Sequence, residues 1–213
     1  MLAKAGSDIS PNTRNEYSRH IDAMKRFVER ARHATDPRER SLTLILRSAA
    51  SGPAKALLTL ADEIREAGVM PKIILAKLEP RDELERLAVL MTEIYGGSSK
   101  SGAIRWTKNP RLLDAHEQAI LGTSQCWSGD AMGRDPSRRN SLSMFADDAP
   151  DMVRLAELGF TALWHAAEPV SERRLMAAAA RMRDTEAFPP EDEEAIEPGR
   201  MEPALANFTF FRH

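Results

Sequence analysis

Between Asp114 and Phe145 the chain reads DAHEQAILGTSQCWSGDAMGRDPSRRNSLSMF. It carries one histidine, His116, then a Trp-Ser-Gly-Asp run, then a basic loop with Arg134, Arg138 and Arg139 that ends in Asn140. Guanidinium groups on such a loop suit phosphate oxygens or a nucleic-acid backbone. Lys108 and Arg111 would extend them into a basic rim. The same residues also fit a solvated loop, with Asp130 and Asp135 diluting the charge and His116 hydrogen-bonded to neighbours at a strand start. A second place with chemistry is Ser51-Gly52-Pro53. A helix beginning there would leave N–H groups free for an anion, or Ser51 would simply cap it.

Other reactive residue types are isolated. His20, His33 and His165 lack metal-ligand spacing to Asp, Glu or Cys. Cys126 stands alone in an apolar run and reads as a packed small residue. His213 ends the sequence. The glycine-rich dinucleotide and phosphate loops, His-Glu-x-x-His and Gly-x-Ser-x-Gly are all absent. No cofactor and no metal are expected.

The elements that would position these residues follow from periodicity. From Pro11 a helix is expected, with Tyr17, Ile21, Met24, Val28 and Ala31 on one face and a stop near Pro37. SLTLILRSAA (41–50) reads as a strand buried on both faces. A helix over 51–68 follows, with Leu57, Leu60, Ala61 and Ile64 as its stripe and Gly68 as its stop. PKIILAKLEP (71–80) gives a second strand, and 81–97 a second helix with Leu84, Leu87, Ala88, Met91 and Ile94 in step. Crossovers of this length favour parallel strands with helices packed on them. Short strands are then expected at 103–107, 116–121, 124–127 and 141–146. A helix over 148–169 would bury Met152, Leu155, Ala156, Phe160, Leu163 and Trp164, and an alanine-rich helix over 171–187 would follow. An acidic, proline-bearing linker leads to ALANFTFFRH. Phe208, Phe210 and Phe211 there would dock on a protein partner, as an added strand, or fold back on the domain or on a second copy.

This order, from SLTLILRSAASGPAKALLTLADEIREAGVMPKIILAKLEP through His116 to Val170, resembles one half of the phospholipase D-like phosphodiesterase superfamily over roughly residues 41–170. That family's signature is His-x-Lys-x-x-x-x-Asp, then Gly-Ser-x-Asn, then a second Asn or Glu. His116 falls at the histidine, Gly129-Asp130-Ala131-Met132 at the glycine segment and Asn140 near the second Asn. Phe160, Trp164 and Glu168-Pro169-Val170 resemble the closing helix. The family's Lys position is Gln118, its Asp position Thr123, and its Ser and Asn are Asp130 and Met132. The resemblance implies a histidine nucleophile, a second histidine as general acid, and cationic or amide groups on the phosphoryl oxygens. Gln118 removes the point charge, and Asp130 would repel a phosphodiester. With one such motif per chain, a complete site would need two copies about a two-fold axis.

The expected fold is therefore α/β: a mixed sheet flanked by helices, a phospholipase D-like half with an extra N-terminal helix and a C-terminal helix plus tail. Residues 1–40 would form a leader and helix, 41–187 the α/β domain, and 188–213 the linker and aromatic tail. The expected function is a non-catalytic, degenerate phospholipase D-like module that binds a protein partner, as a homodimer. One alternative is a divergent phosphodiesterase or nuclease using His116 from two copies, with Asn140 orienting the phosphate and Arg138 or Arg139 replacing the lysine. Another is a nucleic-acid-binding module without chemistry. The 213 residues carry a net charge of -2, so no global basic excess argues for nucleic acid. No apolar run approaches the roughly 20 residues that span a bilayer. The N-terminal residues lack an apolar signal core, and a single cysteine precludes an internal disulfide, so a cytoplasmic location is expected.

Overall fold

The computed structural model describes residues 11–76, 81–95, 102–133 and 143–171, with single positions at 173, 177 and 180. Helix α1 spans Pro11–His33. It buries Met24, Phe27, Val28 and Ala31, the face that the three-and-four spacing picks out. Strand β1, Leu42–Leu46, is buried at all five positions. Leu42, Leu44 and Leu46 face one core, and Ile45 faces a second. An apolar residue at nearly every step is what a strand covered on both sides needs.

The expected single helix over 51–68 is two: α2, Gly52–Thr59, and α3, Ala61–Glu66. Leu60 between them has φ -109° and ψ 21°, outside helical geometry. Leu57, Leu60, Ala61 and Ile64 are nevertheless all buried, because the break keeps the apolar stripe on one side. Strand β2 is Lys72–Leu75, helix α4 Arg81–Tyr95 and strand β3 Ile104–Trp106. A 3-10 turn at Pro110–Asp114, which the sequence did not announce, leads into β4, His116–Leu121. Strand β5 runs Gln125–Ala131. It is longer than the four residues expected, and it takes in Gly129, Asp130 and Ala131 of the stretch that the resemblance sets at the family's glycine segment. Strand β6 is Met144–Ala146, helix α5 Pro150–Ala166 and strand β7 Glu168–Pro169.

The strands form one mixed sheet in the order β6-β5-β4-β1-β2-β3-β7. β1, β2 and β3 are parallel, with Leu44 opposite Ile73 and Ile73 opposite Ile104. The remaining pairs are antiparallel, with Leu44 opposite Ala119 and Ala119 opposite Trp127. Residues from α1, α2, α3 and α4 fill the core on one face of the sheet. On the other face, α5 is the only α-helix among the described residues that contributes to the core, with Leu112 and Leu113 of the 3-10 turn beside it. This is the expected α/β class. No helix among the described residues is long and apolar enough to cross a membrane.

The turn joining β4 to β5 rests on Gly122. Its φ is +68°, and a Cβ there would lie 3.0 Å from the carbonyl oxygen of Glu39. Gly122→Ala therefore meets both backbone strain and a tight contact with backbone in place of a movable side-chain end, a loss of about 1–3 kcal/mol. Gly68 has the same φ but open space where a Cβ would go. Urea unfolding midpoints should place Gly122→Ala well below Gly68→Ala, and equal midpoints would show that the Glu39 contact gives way freely.

Candidate functional site

His116 opens β4 at the end of the sheet where β1 finishes and the chain turns toward α2. The pairing between β4 and β5 slips by a residue between His116 and Gln118, which sets His116 opposite Ala131. The bulge brings the His116 Nδ1 to 2.7 Å from the carbonyl oxygen of Gly129. A carbonyl only accepts, so Nδ1 carries the proton, and in the neutral ring Nε2 keeps its lone pair. Gly129 is required for close approach. A Cβ there would fall 2.6 Å from the Trp127 ring, which folds over it.

His116 lines a groove of about 380 Å³ between α5 and the β4–β6 part of the sheet. The floor carries Gln118, Cys126 and Ser128, and Met144, Met152 and Leu155 form its walls. Among the described residues no Lys, Arg, Asp or Glu lines it. Gln118, at the position where the resembled family has its lysine, supplies a neutral amide. Cys126 is buried, and burial pushes its thiol up from the ordinary range, so it stays protonated and packed.

The buried cation at this end of the sheet is Arg47, directly after β1, with its side chain 9% exposed. Its Nη2 donates to the Ala131 carbonyl at 2.8 Å and lies 3.8 Å from Glu117 Oε2. Nε and Nη1 are buried and have no partner among the described residues. The other oxygen of Glu117 accepts from the Arg47 backbone N–H at 2.9 Å and from the Ser51 hydroxyl at 2.8 Å. Ser51 makes no side-chain cap to α2, contrary to the expectation from sequence: its oxygen accepts from the Ser48 N–H at 3.3 Å, and its hydroxyl donates to Glu117. The Arg47 backbone N–H, its guanidinium and the Ser51 hydroxyl thus converge on one carboxylate that belongs to the chain itself. An outside anion would have to displace Glu117.

Near the start of α2 lies an aromatic cluster. His20 on α1 packs edge-on against Trp127, ring centroids 4.6 Å apart, and against Phe145 at 4.9 Å. Burial first, and the neighbouring Arg19 charge second, lower its pKa from 6.5 to about 4. At neutral pH it is a neutral core residue. The Trp127 Nε1–H donates to Ser143 Oγ at 3.1 Å, and that hydroxyl donates to Glu16 at 2.6 Å.

The structure thus holds His116 at a cleft, and the described residues include only part of the expected set. Asn140, Arg134, Arg138, Arg139 and the tail residues Phe208, Phe210 and Phe211 lie outside the described residues. Lys108 does not border the groove: it follows β3, three strands from β4, and pairs with Glu168 at 3.5 Å. Asp130 is buried rather than presented to a ligand. The described residues bring together no three His, Cys, Asp or Glu side chains able to hold a metal ion. Residue-by-residue reading missed Arg47 and Glu117. The signal was an arginine closing a mostly apolar strand, at the carboxyl end of parallel strands where open α/β sheets place their ligands.

No family model matches the sequence, and no curated protein sequence matches it. Among solved structures the chain is similar to Nuc of Salmonella typhimurium, a phospholipase D family member, at 11% identity over 70% of this chain and 91% of that one, with a TM-score of 0.44. It is also similar to TrmBL2, an archaeal chromatin protein whose structure is described as showing a novel mode of DNA binding. There the identity is 19% over 72% of this chain, the TM-score is 0.44, and the match spans about half of that protein, 51%.

Proposed function

We propose that this chain is a degenerate phospholipase D-like half that works without catalysis, as a protein-binding module whose contact surface is the groove beside His116. One observation carries the reading. The groove that holds the only strand-borne histidine among the described residues is walled by Met144, Met152 and Leu155, with Gln118 in place of a cation. Met144 and Met152 are 44% and 39% exposed. Flexible methionine side chains on an open apolar surface suit a peptide or helix partner better than a dianionic transition state, which needs fixed positive charge. The Glu117 carboxylate supports the same reading, since it occupies the place beside Arg47 and α2 that an anion would take.

The rival reading has an observation of its own: the Gly129 carbonyl holds His116 in the tautomer that a nucleophile or general base uses. Hydrolysis of bis(4-nitrophenyl) phosphate by the wild type and by His116→Ala separates the two. Under the binding reading both stay at the buffer rate. The variant also loses about 0.5–1.5 kcal/mol of stability with the Nδ1 hydrogen bond. Turnover by the wild type that vanishes in His116→Ala, with the unfolding midpoint unchanged, would replace the binding reading with a divergent phosphodiesterase.

A further inference from the structure

Arg47 is the only buried arginine or lysine among the described residues, 8% exposed. Its surroundings do not use it fully. The guanidinium gives one hydrogen bond, from Nη2 to the Ala131 carbonyl. Glu117 Oε2 stands 3.8 Å from Nη2, too far for a hydrogen bond. Nε and Nη1 are buried with no acceptor among the described residues. A buried donor left without an acceptor is costly, more so on a charged group. Folded proteins keep few of them, and an ion that belongs there is one reason.

The loop between β1 and α2 converges on an anion. Ser48 Oγ accepts from the Ala50 N–H at 3.1 Å, and the Ser51 N–H donates to the Ser48 carbonyl at 3.1 Å. These bonds fold the loop back on itself. The Ser51 hydroxyl and the Arg47 N–H then meet at one point, which Glu117 Oε1 takes at 2.8 and 2.9 Å. Ser51 is also the residue from which α2 starts, so the positive end of that helix adjoins the same point.

Glu117 fills this point incompletely. A carboxylate has two oxygens, and the second does not reach the guanidinium. A tetrahedral phosphoryl group has three terminal oxygens, enough to meet the N–H, the hydroxyl and the guanidinium together. The opening is narrow, since the Glu117 side chain is itself only 15% exposed. It suits an ion with one substituent or none, whereas a diester has a second arm that would need its own way out.

Glu117 is also placed to give way. His116 pairs with Ala131 and Gln118 with Ser128, so Glu117 alone on β4 faces Gly129 and Asp130 on β5. Pairing is interrupted at such a bulge. The Glu117 side chain can therefore turn to solvent without breaking a regular ladder.

We propose that the β1–α2 loop is a ligand site for a terminal phosphoryl group, a phosphomonoester or inorganic phosphate, and that Glu117 is its built-in lid, displaced when the ligand enters. The groove beside His116 is lined by other residues, so the two readings stand or fall separately. Titration calorimetry of the full chain with inorganic phosphate, phenyl phosphate and dimethyl phosphate, in chloride of matched ionic strength, tests it. The wild type is expected to bind the first two saturably and the diester not at all. Whichever of the two binds more tightly tells whether an ester or the free ion is the ligand, and both results support the site. Glu117→Ala, or Glu117→Gln where the alanine variant folds poorly, should tighten phosphate binding by roughly tenfold or more, because the open state no longer has to be populated first. Phosphate should raise the Tm of Glu117→Ala further than equal acetate or chloride does. Arg47→Met in the Glu117→Ala background should abolish the binding. A wild type that takes up no phosphate, an affinity unchanged by both Glu117 variants, binding that survives Arg47→Met, acetate that acts as well as phosphate, or dimethyl phosphate that binds like the monoester would each overturn the proposal.

Discussion

Glu117→Ala should cost about 3 kcal/mol of stability, seen as a lower urea midpoint and a lower Tm. Removing the carboxylate strips Arg47 of its counter-charge in a position 9% exposed, and it also removes the acceptor shared by the Arg47 N–H and the Ser51 hydroxyl. Breaking one side of a buried ion pair is worth about 3–5 kcal/mol because the remaining charge stays desolvated. The 3.8 Å separation and the partial exposure of Glu117 hold the figure at the lower end. Glu117→Gln keeps an oxygen for both donors and should lose less. Replacing both partners, as Arg47→Met with Glu117→Leu, should recover most of the loss. Wild-type stability in Glu117→Ala would mean that water, and not the carboxylate, satisfies Arg47.

The second large effect is acid sensitivity set by His20. Its folded pKa is about 4 against 6.5 in the unfolded chain. Between those values the unfolded chain takes up a proton that the folded chain does not, so stability falls as pH drops from 6.5 toward 4 and is flat above 6.5. At 1.36 kcal/mol per unit the loss attributable to His20 is about 3 kcal/mol. Carboxylates add their own losses at the acid end, so the measurement is the difference between wild type and His20→Phe. The aromatic variant keeps the ring contacts with Trp127 and Phe145 and has no proton to take up. Its unfolding free energy should fall less steeply from pH 6.5 to 4.5, and parallel pH curves would show that His20 is protonated without cost in the folded state.

Much of the architecture was legible because it is written in apolar spacing. The mostly apolar β1 run, the α1 face and the β4 strand follow from that spacing, with β4 ending where expected. The failures share a cause: each depends on what a residue meets far away in sequence. Leu155 fits the apolar period of α5 as well as Ala156 does, and only the placing of the helix on the sheet leaves it outside. Ser51 looks like a cap until Glu117, 66 residues later, takes its hydroxyl. His20 sits one step from Ile21 on the buried side of α1, but a polar residue type hid it among the surface positions. Of the site, His116 was visible, and the arrangement around it was not, because a bulge and a long-range carboxylate create it.

Helix α5 begins after β6, on one edge of the sheet, and ends before β7, on the opposite edge. Seventeen residues of helix cover about 25 Å, and with the residues that flank it α5 carries the chain from one edge of the seven-stranded sheet to the other. Its start is tied to the β4–β5 turn by the Ala149 N–H on the Ser124 carbonyl. Its end is held by Arg105, which donates to the carbonyls of Trp164 at 2.7 Å and Ala167 at 3.3 Å across 59 and 62 residues of sequence. α5 is thus a strap whose two anchors are made by different strands. The parallel trio β1, β2 and β3 can assemble on nearby contacts, whereas the strap closes only after a long loop has been ordered. By contact order the strap is expected to close after the parallel trio, and hydrogen exchange should find α5 and β7 opening before β1, β2 and β3. The His116 groove, which has α5 for a wall, then exists only in the fully strapped state.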